Sequence, residues 1–187
     1  MNRIENWFCA SSFWRYVTRR QLLPWLLQST ELGDHVLELG AGPGAATGEL
    51  RRRAARVTSL EYELAFAIQL RARVSGTNAA VVQGDAAALP FPDSTFSSAI
   101  AILMLHHMRA SQEQDKAFEE TYRVLRPGGV FLALEIPDGW FPRVIHTKSK
   151  FVPVQPNSAI ARLMTAGFSS VTTASRRGSF RIRALRA

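Results

Sequence analysis

Apolar positions along the chain fall into short runs separated by longer segments of mixed polarity. Residues 36–39, 57–60, 80–83, 99–105 and 130–135 read as strands. The run 99–105 is apolar throughout, as expected of a parallel strand covered on both faces. Between the runs, 45–54, 64–74, 111–125 and 158–166 read as helices. In 64–74, Leu64, Ile68 and Arg71 recur at helical spacing. In 111–125 the apolar stripe is Phe118, Tyr122 and Leu125, and Ser111 with Gln114 matches a capping box. Pro127-Gly128-Gly129 ends that helix, and Gly167 stops the last one. Residues 171–174 and 180–185 flank the turn-like Arg176-Arg177-Gly178-Ser179 and predict a hairpin. Alternation of this kind implies an α/β fold, a mostly parallel, doubly wound sheet to which the hairpin adds one antiparallel strand. Ligands of such sheets sit beyond the carboxyl ends of the strands, where strand order reverses.

A length of 187 residues suits a single domain with a substantial core. No repeat, low-complexity tract or linker divides it. Residues 1–30 are set apart by aromatics: Trp7, Phe8, Phe13, Trp14, Tyr16 and Trp25, with Pro24 expected to break or restart a helix. They form either a lid that excludes water from a site or a helix packed on the sheet; residues 33–187 form the core. No apolar run is long enough to span a membrane, and no signal-peptide pattern opens the chain. The single cysteine, Cys9, forbids an internal disulfide, which suits the cytoplasm. The net charge of +8 comes from arginines clustered at 51–56, 71–73 and 176–186. This charge serves solubility or attracts an anionic partner, nucleic acid or a charged small molecule.

Three strand ends carry candidate chemistry. After the first comes Glu38-Leu39-Gly40-Ala41-Gly42-Pro43-Gly44, where glycines allow a tight turn and close backbone approach by a ligand. Gly40, Gly42 and Ala45 also fit the G-x-G-x-x-A dinucleotide fingerprint, so the glycines alone do not choose a cofactor. The second strand ends at Glu61, 21 residues after Gly40, where a carboxylate can accept both ribose hydroxyl protons; Glu63 is a nearby rival. The third leads into Gln83-Gly84-Asp85-Ala86, where Asp85 either binds an exocyclic amino group or stabilises its own turn.

The order VLELGAGPG, Glu61, QGDAAALPFPDSTF, an apolar strand to Leu105-His106-His107, and YRVLRPGG resembles the class I S-adenosylmethionine-dependent methyltransferases. The likeness is nearest to the small-molecule and ubiquinone/menaquinone-biosynthesis type. It implies a Rossmann-like seven-stranded fold and S-adenosylmethionine as cofactor. Gly40, Ala41, Gly42 and Gly44 would then shape the pocket for methionine and ribose, with Glu38 supporting the loop. Glu61 would hold the ribose, Tyr62 would pack on adenine, Asp85 would bind the adenine amino group, and Ala86 would supply a backbone N–H to the ring. Leu103 would offer a carbonyl to the methionine amino group. The chain departs from the family at Phe96-Ser97, where Phe-Asp is usual, and this changes local hydrogen bonding. The segment between Glu135 and Ser158 shows no usable pattern, and His146 within it is uninterpretable.

Methyl transfer is an in-line displacement that depends chiefly on alignment, worth roughly 7–11 kcal/mol. His106 and His107 are candidates for a base or an acceptor contact, or for ordering their loop; Glu135 is a weaker candidate base. No metal-ligand cluster is expected. Three rivals stand beside a small-molecule methyltransferase. A nucleic-acid (RNA) methyltransferase would use the positive charge, but the Asn/Asp-Pro-Pro-aromatic motif is missing after the fourth strand, and Cys9 is misplaced for a cytosine-attacking thiolate. The others are a non-catalytic cofactor-binding module and an NAD(P)-dependent oxidoreductase.

Overall fold

A computed structural model describes residues 11–140, 143 and 151–187. Cys9, Trp7, Phe8 and His146 lie outside the described residues. The chain opens with α1 (Ser12–Val17), a π-helical segment (Thr18–Leu22) and α2 (Leu23–Leu27). Pro24 sits in the first turn of α2, where its missing N–H costs nothing, so helical structure runs continuously through it.

The core continues as β1 (His35–Leu39), α3 (Thr47–Leu50), β2 (Arg56–Glu61), α4 (Leu64–Val74), β3 (Ala79–Gln83) and β4 (Phe96–Ile102). After a 3₁₀ turn (Leu105–His107) come α5 (Ser111–Val124), β5 (Leu125–Glu135), α6 (Pro156–Thr165), β6 (Ser169–Arg176) and β7 (Ser179–Leu185). The seven strands form one sheet in the order β3-β2-β1-β4-β5-β7-β6. All pairs are parallel except those of β7, which runs antiparallel to both neighbours. Strand order reverses between β1 and β4.

Both faces of the sheet are covered. On one, Leu37, Leu39, Ala99, Ala101, Phe131, Phe180 and Ile182 pack against Ala117 and Phe118 of α5 and Leu163 of α6. On the other, Val36, Ile100, Leu132 and Leu134 meet Leu22 to Leu27 and Leu50, while α4 buries Ala67 and Leu70. Period-two alternation along each central strand places every second apolar side chain on each face. Phe96, Phe118, Phe131 and Phe180 are fully buried, each worth roughly 1.5–3 kcal/mol.

Several local expectations change. The helix predicted at 45–54 shrinks to the four residues of α3, with Gly48 inside it weakening the helical preference. In α4 the predicted stripe faces outward: Leu64 and Ile68 are exposed, and Phe66, Ala67, Leu70 and Val74 form the buried side. The capping box does not form. Ala110 holds the N-cap, and the Gln114 amide turns inward to the carbonyls of Leu105 and Val152 at 2.9 and 2.8 Å. β5 begins directly at Leu125, which pairs with Phe96; the register then shifts before Ser98 meets Val130. β4 stops at Ile102 because Leu103 enters the left-handed region at φ 53°. An apolar run gives no sign of that turn. Ser97 accepts the His35 N–H at 2.9 Å and reaches the carbonyls of Leu32 and His35, tying the start of β4 to β1. The departure from Phe-Asp thus acts on hydrogen bonding where the two central strands begin.

Candidate active site

The carboxyl ends of β1, β2 and β4, with the turn after β3, surround a cleft of about 520 Å³, within the usual size for small-molecule sites. At its floor the loop after β1 turns back so that the N–H groups of Gly40 and Ala41 both donate to the Leu60 carbonyl. Gly42, at φ 55°, has nothing within 4 Å of where a Cβ would stand, so the cleft keeps that space. Gly40, Ala41 and Gly42 line the cleft. Gly44 is not among the lining residues; at φ 87° it lies against Leu70 and lets α4 approach. Its glycine signal therefore reports helix packing.

Glu61 is 6 % exposed and held from two sides. The Gly42 N–H donates to one carboxylate oxygen at 2.6 Å and the Glu63 N–H to the other at 2.8 Å. These bonds tie the second strand end to the glycine loop. Burial raises the Glu61 pKa against their opposing pull. Glu38 lies beneath, opposite Ser59 in the β1–β2 register. Thr47 and Ser59 both donate to its Oε2 at 2.6 Å. Burial lifts its pKa from 4.5 to about 7. Neither hydroxyl was singled out in the sequence; only register and the start of α3 bring them to Glu38.

Asp85 lines the cleft and also accepts the Ala87 N–H at 2.9 Å through Oδ1, so its turn role and its cleft position coexist. Ala86 is buried at its side. Tyr62 is half exposed, its hydroxyl accepting from the Arg109 guanidinium at 3.1 Å; Arg109 also pairs with Glu113 at 3.4 Å. Leu103 lines the wall after β4.

The two histidines part company. His106 is 2 % exposed, its Nδ1 2.5 Å from Glu135 Oε2, while Glu135 Oε1 accepts the Leu105 N–H at 2.8 Å. Glu135 and His106 thereby hold the 3₁₀ turn. His107, its ring centroid 4.2 Å from that of His106, lines the cleft. Among the first helical residues Trp14 and Thr18 also line it, whereas Phe13 and Tyr16 are exposed and Trp25 stacks under Arg176 at 4.2 Å. The aromatic segment thus divides between wall and packing. Thr18, Met104, Met108, Arg109 and Glu113 went unmarked in the sequence.

Residues 37–133 match the family model described as "Methyltransferase domain". The chain belongs to that family. Among relatives of this methyltransferase domain, demethylmenaquinone methyltransferase of Corynebacterium kroppenstedtii is 29 % identical over 160 residues, 80 % of this chain and 64 % of that protein. The Thermobifida fusca enzyme of the same name is 32 % identical over 127 residues, 66 % of this chain and 47 % of that one. The chain spans about half the length of the curated relatives it matches. In fold, a S-adenosylmethionine-dependent methyltransferase from Aquifex aeolicus superimposes with a TM-score of 0.79 at 16 % identity, covering 100 % of both chains. The methyltransferase domain is therefore Rossmann-like. Among its described residues no helix is long and apolar enough to cross a membrane, and no group of three metal-ligating side chains occurs.

Proposed function

We propose that this domain binds S-adenosylmethionine and directs its methyl group to a small-molecule acceptor. The charge of the cleft carries this reading. Among the described residues, Glu61, Glu63, Asp85 and Glu113 line it against one guanidinium, Arg109. Such a lining favours a cationic ligand and opposes a diphosphate, which speaks against an NAD(P) cofactor despite the shared glycine pattern. It opposes a nucleic-acid backbone and an anionic acceptor too, although the chain as a whole is basic. Outside the cleft, arginines are partly neutralised in place: Arg19, Arg52 and Arg53 converge on Glu49 at 3.2–3.5 Å.

When bound, the cofactor supplies an electrophilic methyl carbon on a sulfonium. Glu61, fixed by two backbone donors, would hold the ribose hydroxyls. Asp85 would take the adenine amino group with the oxygen not engaged by Ala87, and Ala86 would present its N–H to the ring. Tyr62 would cover the adenine, with Arg109 steadying its hydroxyl. Gly40, Ala41 and Gly42 would let the ligand lie on backbone, and Leu103 would offer its carbonyl to the amino group. Gly44 would act one step away, by seating α4 behind the loop. His107 is the base for an acceptor that must lose a proton; His106 positions it. Met104, Met108 and Trp14 give the acceptor an apolar surface, which fits a neutral planar molecule such as the demethylmenaquinone in the names of the relatives.

A thermal melt tests the cofactor, and labelled S-adenosylmethionine with a fractionated cell extract tests transfer. Stabilisation by S-adenosylhomocysteine but not NADH, with label in a small neutral product, is expected. Stabilisation by NADH alone would overturn the reading, and label in RNA would transfer it to the nucleic-acid enzymes. Tight cofactor binding without any labelled product would favour a non-catalytic module.

A further inference from the structure

We infer that Thr18 is a binding residue of this cleft, its hydroxyl directed to the carboxylate of the ligand's amino-acid tail; the inference rests on the cofactor reading above. Thr18 is 1 % exposed and lines the cleft, yet its Oγ1 has no hydrogen-bond partner among the described residues. A threonine in a helix normally has a partner at hand in the carbonyl four residues back. Thr121 donates to Ala117 at 2.6 Å and Thr165 to Ala161 at 3.0 Å in that way. The Thr18 hydroxyl does not donate to the equivalent Trp14 carbonyl, which receives the Thr18 backbone N–H.

The backbone is unusual at the same point. Thr18 opens the π-helical segment between α1 and α2. Single π turns inside α-helices concentrate at functional sites, because the extra residue re-aims side chains at the cost of regular bonding. A buried hydroxyl left unpaired is costly in the free protein, and that cost disappears when a ligand atom accepts its proton.

Position in the fold selects the ligand atom. Tyr62 and Asp85 stand beyond β2 and β3, the adenosine side of the proposed pose. Thr18 leads into α2, which packs on β5, on the other side of the reversal point. Its neighbour Trp14 packs against the cluster that covers this face of the sheet, to which Ile102 and Leu103 at the end of β4 also belong. This is the end assigned to the methionine tail. Among the described residues no cation lines that end, since Arg109 is engaged by Tyr62 and Glu113. A tail carboxylate there must be met by uncharged donors, and Thr18 Oγ1 is an uncommitted one.

Calorimetric titration of wild type, Thr18→Val and Thr18→Ser with two probes tests this. S-adenosylhomocysteine carries the amino-acid tail; 5′-methylthioadenosine keeps the adenosine and sulfur without it. Thr18→Val should weaken S-adenosylhomocysteine by about tenfold or more, the scale of a hydrogen bond to a charged group. It should leave methylthioadenosine unchanged, and Thr18→Ser should restore most of the loss. Because valine removes an unpaired hydroxyl at nearly constant volume, the ligand-free protein should melt no lower than wild type. Equal losses for both probes, no loss for either, or a ligand-free melt several degrees lower would overturn the assignment. A wild type that binds neither probe overturns the cofactor reading and this inference with it.

Discussion

Glu38 should make this domain progressively less stable as pH rises from acid to neutral, and the effect can be isolated with one substitution. Its carboxyl is buried beneath the glycine loop, and burial raises the folded pKa from 4.5 to about 7 despite the hydroxyls of Ser59 and Thr47; the nearby Glu61 charge adds to the rise. Below pH 4.5 the proton is held in both folded and unfolded chains. As pH rises the unfolded chain releases it first, so the stability contributed by the neutral form is lost through about pH 7. At about 1.4 kcal/mol per pKa unit, the loss amounts to roughly 3 kcal/mol. Glu38→Gln stays neutral at every pH and keeps an acceptor oxygen for the two hydroxyls. Urea unfolding of both proteins between pH 4.5 and 8.5 should show the wild type falling relative to the variant by about that amount. Glu61, whose pKa burial also raises, contributes with the same sign. His35, its pKa lowered by burial and by Arg56, contributes with the opposite sign. Both are present in each protein, so the comparison removes them to first order. Parallel stability curves would refute the reasoning, because they would mean that Glu38 titrates alike in the folded and unfolded chains.

Two further outcomes separate packing from binding. Gly44→Ala should destabilise by roughly 2–3 kcal/mol in urea, since its Cβ meets Leu70 and its φ of 87° disfavours any side chain; Gly42→Ala, with open space around it, should cost only about 1 kcal/mol of stability while weakening S-adenosylhomocysteine in calorimetry. Glu135→Leu should cost about 3–5 kcal/mol, because it strips the buried Leu105 N–H and His106 Nδ1 of their shared acceptor, whereas Glu135→Gln should lose less than half of that; equal unfolding midpoints for the two variants would show that the carboxylate does not hold the turn.

Much of the site could be read directly from the residues because its parts lie where strands end. Gly40, Gly42, Glu61 and Asp85 each follow a segment that reads as a strand, and a parallel sheet brings such ends to one edge whatever the detailed packing. The aromatic N-terminus was divisible only in space. Trp14 reaches the cleft, while Phe13, next to it in sequence, points outward. The capping box failed for a related reason: the Gln114 Oε1 that would accept the N-cap N–H accepts from Arg162 instead, while its amide N–H groups donate to the Leu105 and Val152 carbonyls.

What the amino-acid order determined alone was the alternation of strands and helices, the glycine turn and the acidic strand ends, all properties of contiguous residues. Only the folded chain decided that His106 serves Glu135 while His107 faces the cleft, that Gly44 serves Leu70, and that Thr18 comes to the wall with its hydroxyl unpaired. Those assignments depend on which distant side chain arrives to accept or fill, and no local pattern records a partner dozens of residues away.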